Sequence, residues 1–308
     1  MTKNLTLSVS PHIHSKNSTN RIMRDVLISL IPATVAGCVI FGLRSALVIA
    51  VCLVSCVGFE ALFNLIAKKE QTVSDLSAAV TGLLLGLNVP AGAPIWQCVV
   101  GSLFAIVVVK GLFGGLGCNP VNPAITARIF MLIAFGTMAK PTFPTIVDTA
   151  SGATPLSAES AQALPSILDL LLGLRGGAIG ETCAIALLLG FAYLLIRRVI
   201  TWHIPVAFVG SVFAFTLLME GFDVMTSLSL VLSGGLLLGA IFMATDYVTS
   251  PSSLWGKVIF GVGAGLITFL IRYFGTYPEG VSFAILFMNI LTPYIDVWTK
   301  HRVFGTGR

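Results

Sequence analysis

Charged residues are scarce: Asp, Glu, Lys and Arg make up 10% of the 308-residue chain, against roughly a quarter in a soluble domain. That scarcity excludes a soluble fold of this length, and the mean hydropathy of +0.96 agrees. The apolar residues fall in long runs rather than alternating, which excludes an outer-membrane barrel built from short alternating strands. None of the six cysteines (Cys38, Cys52, Cys56, Cys98, Cys118 and Cys183) forms a Cys-x-x-Cys pair, so the spacing supports no zinc or iron–sulfur site. Five of them lie in apolar runs, where cysteine serves as a small hydrophobe. No Gly-x-Gly-x-x-Gly follows a strand pattern, so a dinucleotide fingerprint is lacking. The first twenty residues are polar, which predicts that no leader is cleaved and that the first helix remains as an anchor.

What is present is apolar length. A spanning helix needs about 20 apolar residues. Ten segments qualify, at roughly 26–43, 45–67, 76–90, 95–113, 121–139, 180–197, 203–220, 226–245, 254–273 and 279–296. With the N-terminus inside, fourteen basic residues face the cytoplasm: Lys3, Lys16, Arg21, Arg24, Lys68, Lys69, Lys110, Arg128, Arg197, Arg198, Lys257, Lys300, Arg302 and Arg308. Only four, Arg44, Lys140, Arg175 and Arg272, face out. That bias sets both termini in the cytoplasm, and the formal charge of +5 is a topology signal rather than a nucleic-acid footprint. The motif Gly-Leu-Leu-Leu-Gly occurs at 82–86 and again at 235–239. Five spans separate the copies, so the second runs upside down, as in an inverted repeat.

The expected fold is therefore an all-α integral membrane protein of about ten transmembrane helices in two inverted five-helix repeats, some helices short or broken. Its parts are a cytoplasmic segment (1–25), a first repeat (26–139), an outward loop (140–179) with a short interfacial helix at 165–177, a second repeat (180–296) and a basic cytoplasmic tail (297–308).

Ionisable groups at membrane depth cost roughly 2.5–3.5 kcal/mol on insertion scales and so invite explanation. Glu60 lies inside the second span, Lys110 and Arg128 near span ends where they can snorkel or pair, Glu181 at the start of the sixth span and Asp246 at the end of the eighth. Glu60 and Asp246 are the acids expected on the inner part of an ion path, with Glu181 and Lys110 as further candidates. Glu181 at a helix start also suits the macrodipole. In Gly-Gly-Leu-Gly-Cys-Asn-Pro-Val-Asn-Pro-Ala (114–124), Asn122 can cap a helix opening with Pro123. The glycines before it permit close approach of a flat ligand or another helix. An Asn-Pro-Ala box also suggests a water channel, but 281–289 in the second half has no partner box.

The outward loop carries Asp148-Thr149-Ala150-Ser151-Gly152-Ala153-Thr154, followed by Pro155. Gly152 removes bulk and Pro155 biases Thr154 toward an extended form, which leaves an accessible hydroxyl suited to modification by another enzyme. This Asp-x-x-Ser-Gly-Ala-Thr resembles the flavinylation motif of the RnfD/NqrB family, the membrane subunits of Rnf complexes and of Na⁺-pumping NADH:quinone oxidoreductases. The segments 10–26, 82–94, 110–124, 177–182, 243–251 and 279–296 are similar to landmarks of the same family, and the length and compact outer loop favour the RnfD branch over its larger relative.

The resemblance implies FMN joined by a phosphoester to Thr154, with Asp148, Ser151, Gly152 and Ala153 as recognition positions for a flavin transferase outside the cytoplasm. It implies a second, non-covalent flavin, riboflavin, among the helices, for which Asn119, Asn122 and Pro123 are candidate lining residues. It also implies a place in the bacterial cytoplasmic membrane, within a multisubunit complex holding a second FMN subunit and iron–sulfur subunits. That complex would pass electrons between ferredoxin and NAD⁺ while Na⁺ or H⁺ crosses. The NAD and ferredoxin sites would lie on partners. A rival reading is an inverted-repeat channel or carrier for a small solute without redox role; another is a scaffold that only holds flavins.

Overall fold

Apolar run length translates directly into helices. The structure, a computed structural model, describes residues 18–139, 142–144, 166–275 and 280–300. Twelve helices are drawn among them: α1 (Thr19–Phe41), α2 (Leu43–Ile66), α3 (Ser77–Leu87), α4 (Ile95–Gly111), α5 (Pro123–Ala134), α6 (Ile167–Leu172), α7 (Ala184–Ile196), α8 (His203–Met219), α9 (Val224–Leu232), α10 (Leu236–Met243), α11 (Leu254–Phe274) and α12 (Val281–Trp298). No strand occurs among the described residues; Thr142 and Gly177 make one isolated backbone bridge. Helices α1, α2, α11 and α12 are each long and apolar enough to cross a membrane, and α9 with α10 forms a fifth candidate span bent by 66°. Outward-facing side chains such as Leu43 (88% exposed) and Ile196 (80% exposed) are apolar, as a lipid-facing surface requires. The chain is a multi-pass membrane protein.

Local chemistry sets where the helices begin. Ser18 caps α1 by accepting the Arg21 N–H, Asp223 caps α9 by accepting from Met225 and Thr226, and Ser253 caps α11 by accepting from Gly256. Gly42, at φ 74°, turns the chain between α1 and α2, a left-handed conformation that suits glycine. Two helices change pitch: α4 becomes a π-helix over Phe104–Gly111, and α10 over Gly239–Met243. Such stretches are rare and gather at functional positions.

Helix α3 has 11 residues, which reach about half the 30 Å of a hydrocarbon core. Non-helical backbone is tolerated at such depth only when its polar groups find protein partners, and here they do. The Gly180 N–H donates to the Leu87 carbonyl (2.7 Å) and the Ile179 N–H to that of Val89 (3.2 Å). Arg44 donates to the carbonyls of Ala91 and Ala93. The break between α9 and α10 is treated alike. Arg272 donates to the carbonyls of Leu230 (3.0 Å) and Ser233 (3.1 Å), and Arg175 to that of Gly234 (3.4 Å). Three of the four basic residues read as outward-facing thus bind backbone oxygens exposed by broken helices.

Helix α3 lies on α2, α8 on α11, α1 on α7 and α5 on α12. At the α2–α3 crossing an added Cβ on Gly82 would stand 2.8 Å from both the Cys52 carbonyl oxygen and the Leu53 Cα. Those are backbone atoms and cannot rotate aside. Gly82→Ala is therefore expected to destabilise the protein by about 1–3 kcal/mol, read as a lowered thermal unfolding midpoint in detergent.

Candidate functional site

Two polar clusters lie at opposite ends of the broken helices. In the first, Lys110, in the π-helical part of α4, donates to Glu60 Oε1 on α2 (2.5 Å) and to Ser77 Oγ at the start of α3 (2.6 Å). Both members of the ion pair are buried, Lys110 at 3% and Glu60 at 5% exposure. Thr72 donates to the same Glu60 oxygen (3.1 Å), and Asn64 donates to Thr72 (3.0 Å). Ser77 directs its own proton to Asp75 Oδ1 (2.5 Å). Glu60 Oε2 is buried with no hydrogen-bond partner among the described residues. A cavity of about 310 Å³ adjoins this cluster, with Glu60, Glu70 and Asp75 among its walls beside Lys69 and Lys110.

Lys110 and Leu116 also line a second, narrower cleft of about 80 Å³. Around it stand Asn119, Asn122, Pro123 and Asp246, so candidates from two distant stretches meet beside Lys110. In the turn beyond α10, burial pushes the Asp246 carboxyl above its usual range, opposed by the Val248 N–H and the Thr249 hydroxyl. Asn122 is fully engaged. Its side-chain oxygen accepts from Ala124 and Ile125 as the cap of α5, and its amide donates to the Met243 carbonyl (3.2 Å) where α10 ends. With the Asn289 amide turned to satisfy both its ends, Asn289 on α12 accepts the Asn122 N–H at 3.1 Å. Asn122 therefore ties α5, α10 and α12 together.

The other cluster surrounds Glu181, away from the cleft. Arg175 donates to the Glu181 carbonyl oxygen (2.7 Å), and burial lowers its guanidinium to about 10, an effect opposed by the Glu181 charge. A Cβ on Gly235 would come within 2.6 Å of Glu181 Oε1, so the glycine makes room for the carboxylate at the start of α10. Arg128, expected to snorkel or pair, is 2% exposed, and its guanidinium reaches the Met138 carbonyl (3.5 Å) beyond the end of α5. Thr154, Asp148, Ser151, Gly152 and Ala153 lie outside the described residues.

Sequence reasoning missed Thr72, Asp75 and Ser77 as partners of the ion pair. The signal was the polar run Thr72-Val73-Ser74-Asp75 ahead of an apolar helix, which reads as a turn and cap and carries no hint of Lys110.

A family model described as the NQR2, RnfD, RnfE family matches residues 6–305. The chain belongs to that family. Among its relatives is the subunit designated D in a Na⁺-translocating ferredoxin:NAD⁺ oxidoreductase complex of Acetobacterium woodii, 46% identical over 99% of this chain and 96% of that protein. The subunit of the same letter in a proton-translocating ferredoxin:NAD⁺ oxidoreductase complex of Clostridium ljungdahlii is 38% identical, over 98% of this chain and 97% of that protein. Its namesake in an ion-translocating oxidoreductase complex of Erwinia tasmaniensis is 33% identical over 97% and 98%. Family membership thus spans both broken-helix regions and the segment holding Thr154.

Proposed function

We propose that the chain is the RnfD subunit of an ion-translocating ferredoxin:NAD⁺ oxidoreductase complex, carrying FMN on Thr154 and relaying electrons while a cation crosses. The observation that carries this is near full-length identity to subunits of complexes so named, joined to Asp148-Thr149-Ala150-Ser151-Gly152-Ala153-Thr154 in the same chain. Attachment would join the Thr154 oxygen to the FMN phosphorus of FAD, break the pyrophosphate bond and release AMP with the hydroxyl proton. FMN supplies one- and two-electron transfer when bound. NAD⁺, ferredoxin and iron–sulfur clusters belong to partner subunits, and the flavin transferase to maturation.

This reading includes ten spans in two inverted halves, with both termini cytoplasmic and the loop carrying Thr154 outside. In support, α1 packs on α7 and α5 on α12, pairing equivalent helices of the two halves. The repeated Gly-Leu-Leu-Leu-Gly falls on two short helices, α3 and α10. Arg44, Arg175 and Arg272 are spent on carbonyl groups, which explains basic residues on the side the charge bias disfavours.

For the cation, the inner cavity leads to Glu60 and Asp75. Lys110 neutralises Glu60 and stands between this cavity and the cleft bounded by Asp246. The buried Glu60 Oε2 is the oxygen on which an entering cation or proton would be held. Glu181, at the other cluster, marks the outer part of the path.

Riboflavin beside Asn119, Asn122 and Pro123 would require the cleft to widen. Its volume is about 80 Å³, against the roughly 300 Å³ at which ligand pockets begin, and the Asn122 side-chain oxygen already caps α5. No step is assigned to it.

The test is in-gel fluorescence of the denatured chain, made in a host with the flavin transferase. A fluorescent band that disappears in Thr154→Val is expected. A dark wild-type band would contradict the redox reading and favour a carrier.

A further inference from the structure

At the end of the α1–α7 pair a cavity of about 110 Å³ is lined by Arg21, Asp25, Arg197, Arg198 and Tyr247, with Ile22 and Val199. Three guanidiniums face one carboxylate, and that carboxylate is committed. Arg197 donates to both Asp25 oxygens (3.1 Å to Oδ2, 3.4 Å to Oδ1), and the Tyr193 hydroxyl donates to Oδ1 (3.2 Å). Arg21 and Arg198 have no acidic partner among the described residues. The formal balance at the cavity, three Arg less one Asp, is +2.

Arg198 follows α7 at φ 55°, a left-handed position that glycine usually takes after a helix. The chain holds an arginine there despite the conformational cost. The neighbouring surface is apolar: Ile196 is 80% exposed and Trp202 55%. Exposed tryptophan beside aliphatic surface marks the headgroup level of a bilayer. Basic pockets between helices on the cytoplasmic side suit lipid headgroups. About 110 Å³ holds several waters, room for one phosphodiester group.

We propose that Arg21, Arg197 and Arg198 form a binding site for the phosphate of an anionic phospholipid on the cytoplasmic leaflet. Arg197 is held in place by Asp25, while Arg21 and Arg198, without an acidic partner among the described residues, close on the phosphate. An acidic protein segment is less suited, because the cavity admits one small anion beside a lipid-facing surface.

The test uses the purified, delipidated complex titrated with fluorophore-tailed phosphatidylglycerol, with phosphatidylcholine as control and inorganic phosphate as competitor. Wild type should prefer phosphatidylglycerol, and the preference should fall as salt rises. Each of Arg21→Gln and Arg198→Gln should weaken binding about fivefold, and the charge-preserving Arg21→Lys should lose less. Absence of a wild-type preference overturns the proposal even if no variant folds. Unchanged binding in both glutamine variants also overturns it. Displacement by millimolar phosphate without lipid preference would identify a free-anion site instead. Loss of a partner protein from the variants, with lipid binding intact, would make the patch a protein contact.

Discussion

Lys110→Met is expected to destabilise the protein by about 3–5 kcal/mol, because it leaves the Glu60 carboxylate buried without its counter-charge. The pair is 2.5 Å apart, and neither side chain is more than 6% exposed. After the substitution only the Thr72 hydroxyl, among the described residues, still donates to Glu60, and one neutral hydrogen bond cannot replace an ammonium. The double variant Glu60→Gln/Lys110→Met should recover most of the loss, since it removes both charges. Thermal unfolding followed with a thiol-reactive dye reads this directly, because Cys52, Cys56 and Cys98 are buried in the folded chain. A single variant as stable as wild type would mean that water in the adjoining cavity screens Glu60 and that the charge does not depend on Lys110.

Arg272→Leu should be of similar size, about 3–6 kcal/mol. It strips two charge-assisted hydrogen bonds, each worth about 1.5–3 kcal/mol, from the Leu230 and Ser233 carbonyls at the α9–α10 break. Ser233 is fully buried, so water does not replace the guanidinium at that carbonyl. Arg272→Lys should fall between, because an ammonium on a flexible stem matches two carbonyls less well than a planar guanidinium does. The measurement is the yield of folded protein in the membrane fraction together with its unfolding midpoint. Equal values for arginine and leucine would show that the break is stabilised by other groups.

These two expectations mark where sequence reading stopped. Helix positions were legible because lipid demands apolar length, and every run read as a span contains a helix. The α9–α10 break was not, although Ser233-Gly234-Gly235 lies in the run. Apolarity continues across it, and hydropathy measures the cost of side chains rather than the continuity of backbone hydrogen bonds. Asn122 as a cap was legible because capping is local. Its bonds to Met243 and Asn289 were not, since these partners come from the other half of the chain. Glu60 and Lys110 stood out separately as buried charges, but they are 50 residues apart in sequence, and no spacing rule joins them. For Arg128 the choice between snorkelling and pairing was not legible, because depth was judged along a straight span. The helix starts at Pro123, and packing buries that guanidinium to 2% exposure.

The central claim is that one hydroxyl carries a flavin phosphate. Its most direct test is the mass of a peptide spanning 141–175, from chain produced with FAD and an active flavin transferase. The account predicts a peptide heavier by FMN less one water, with the added mass on Thr154. The unmodified mass alone, from material made with a transferase proven on another substrate, would contradict it.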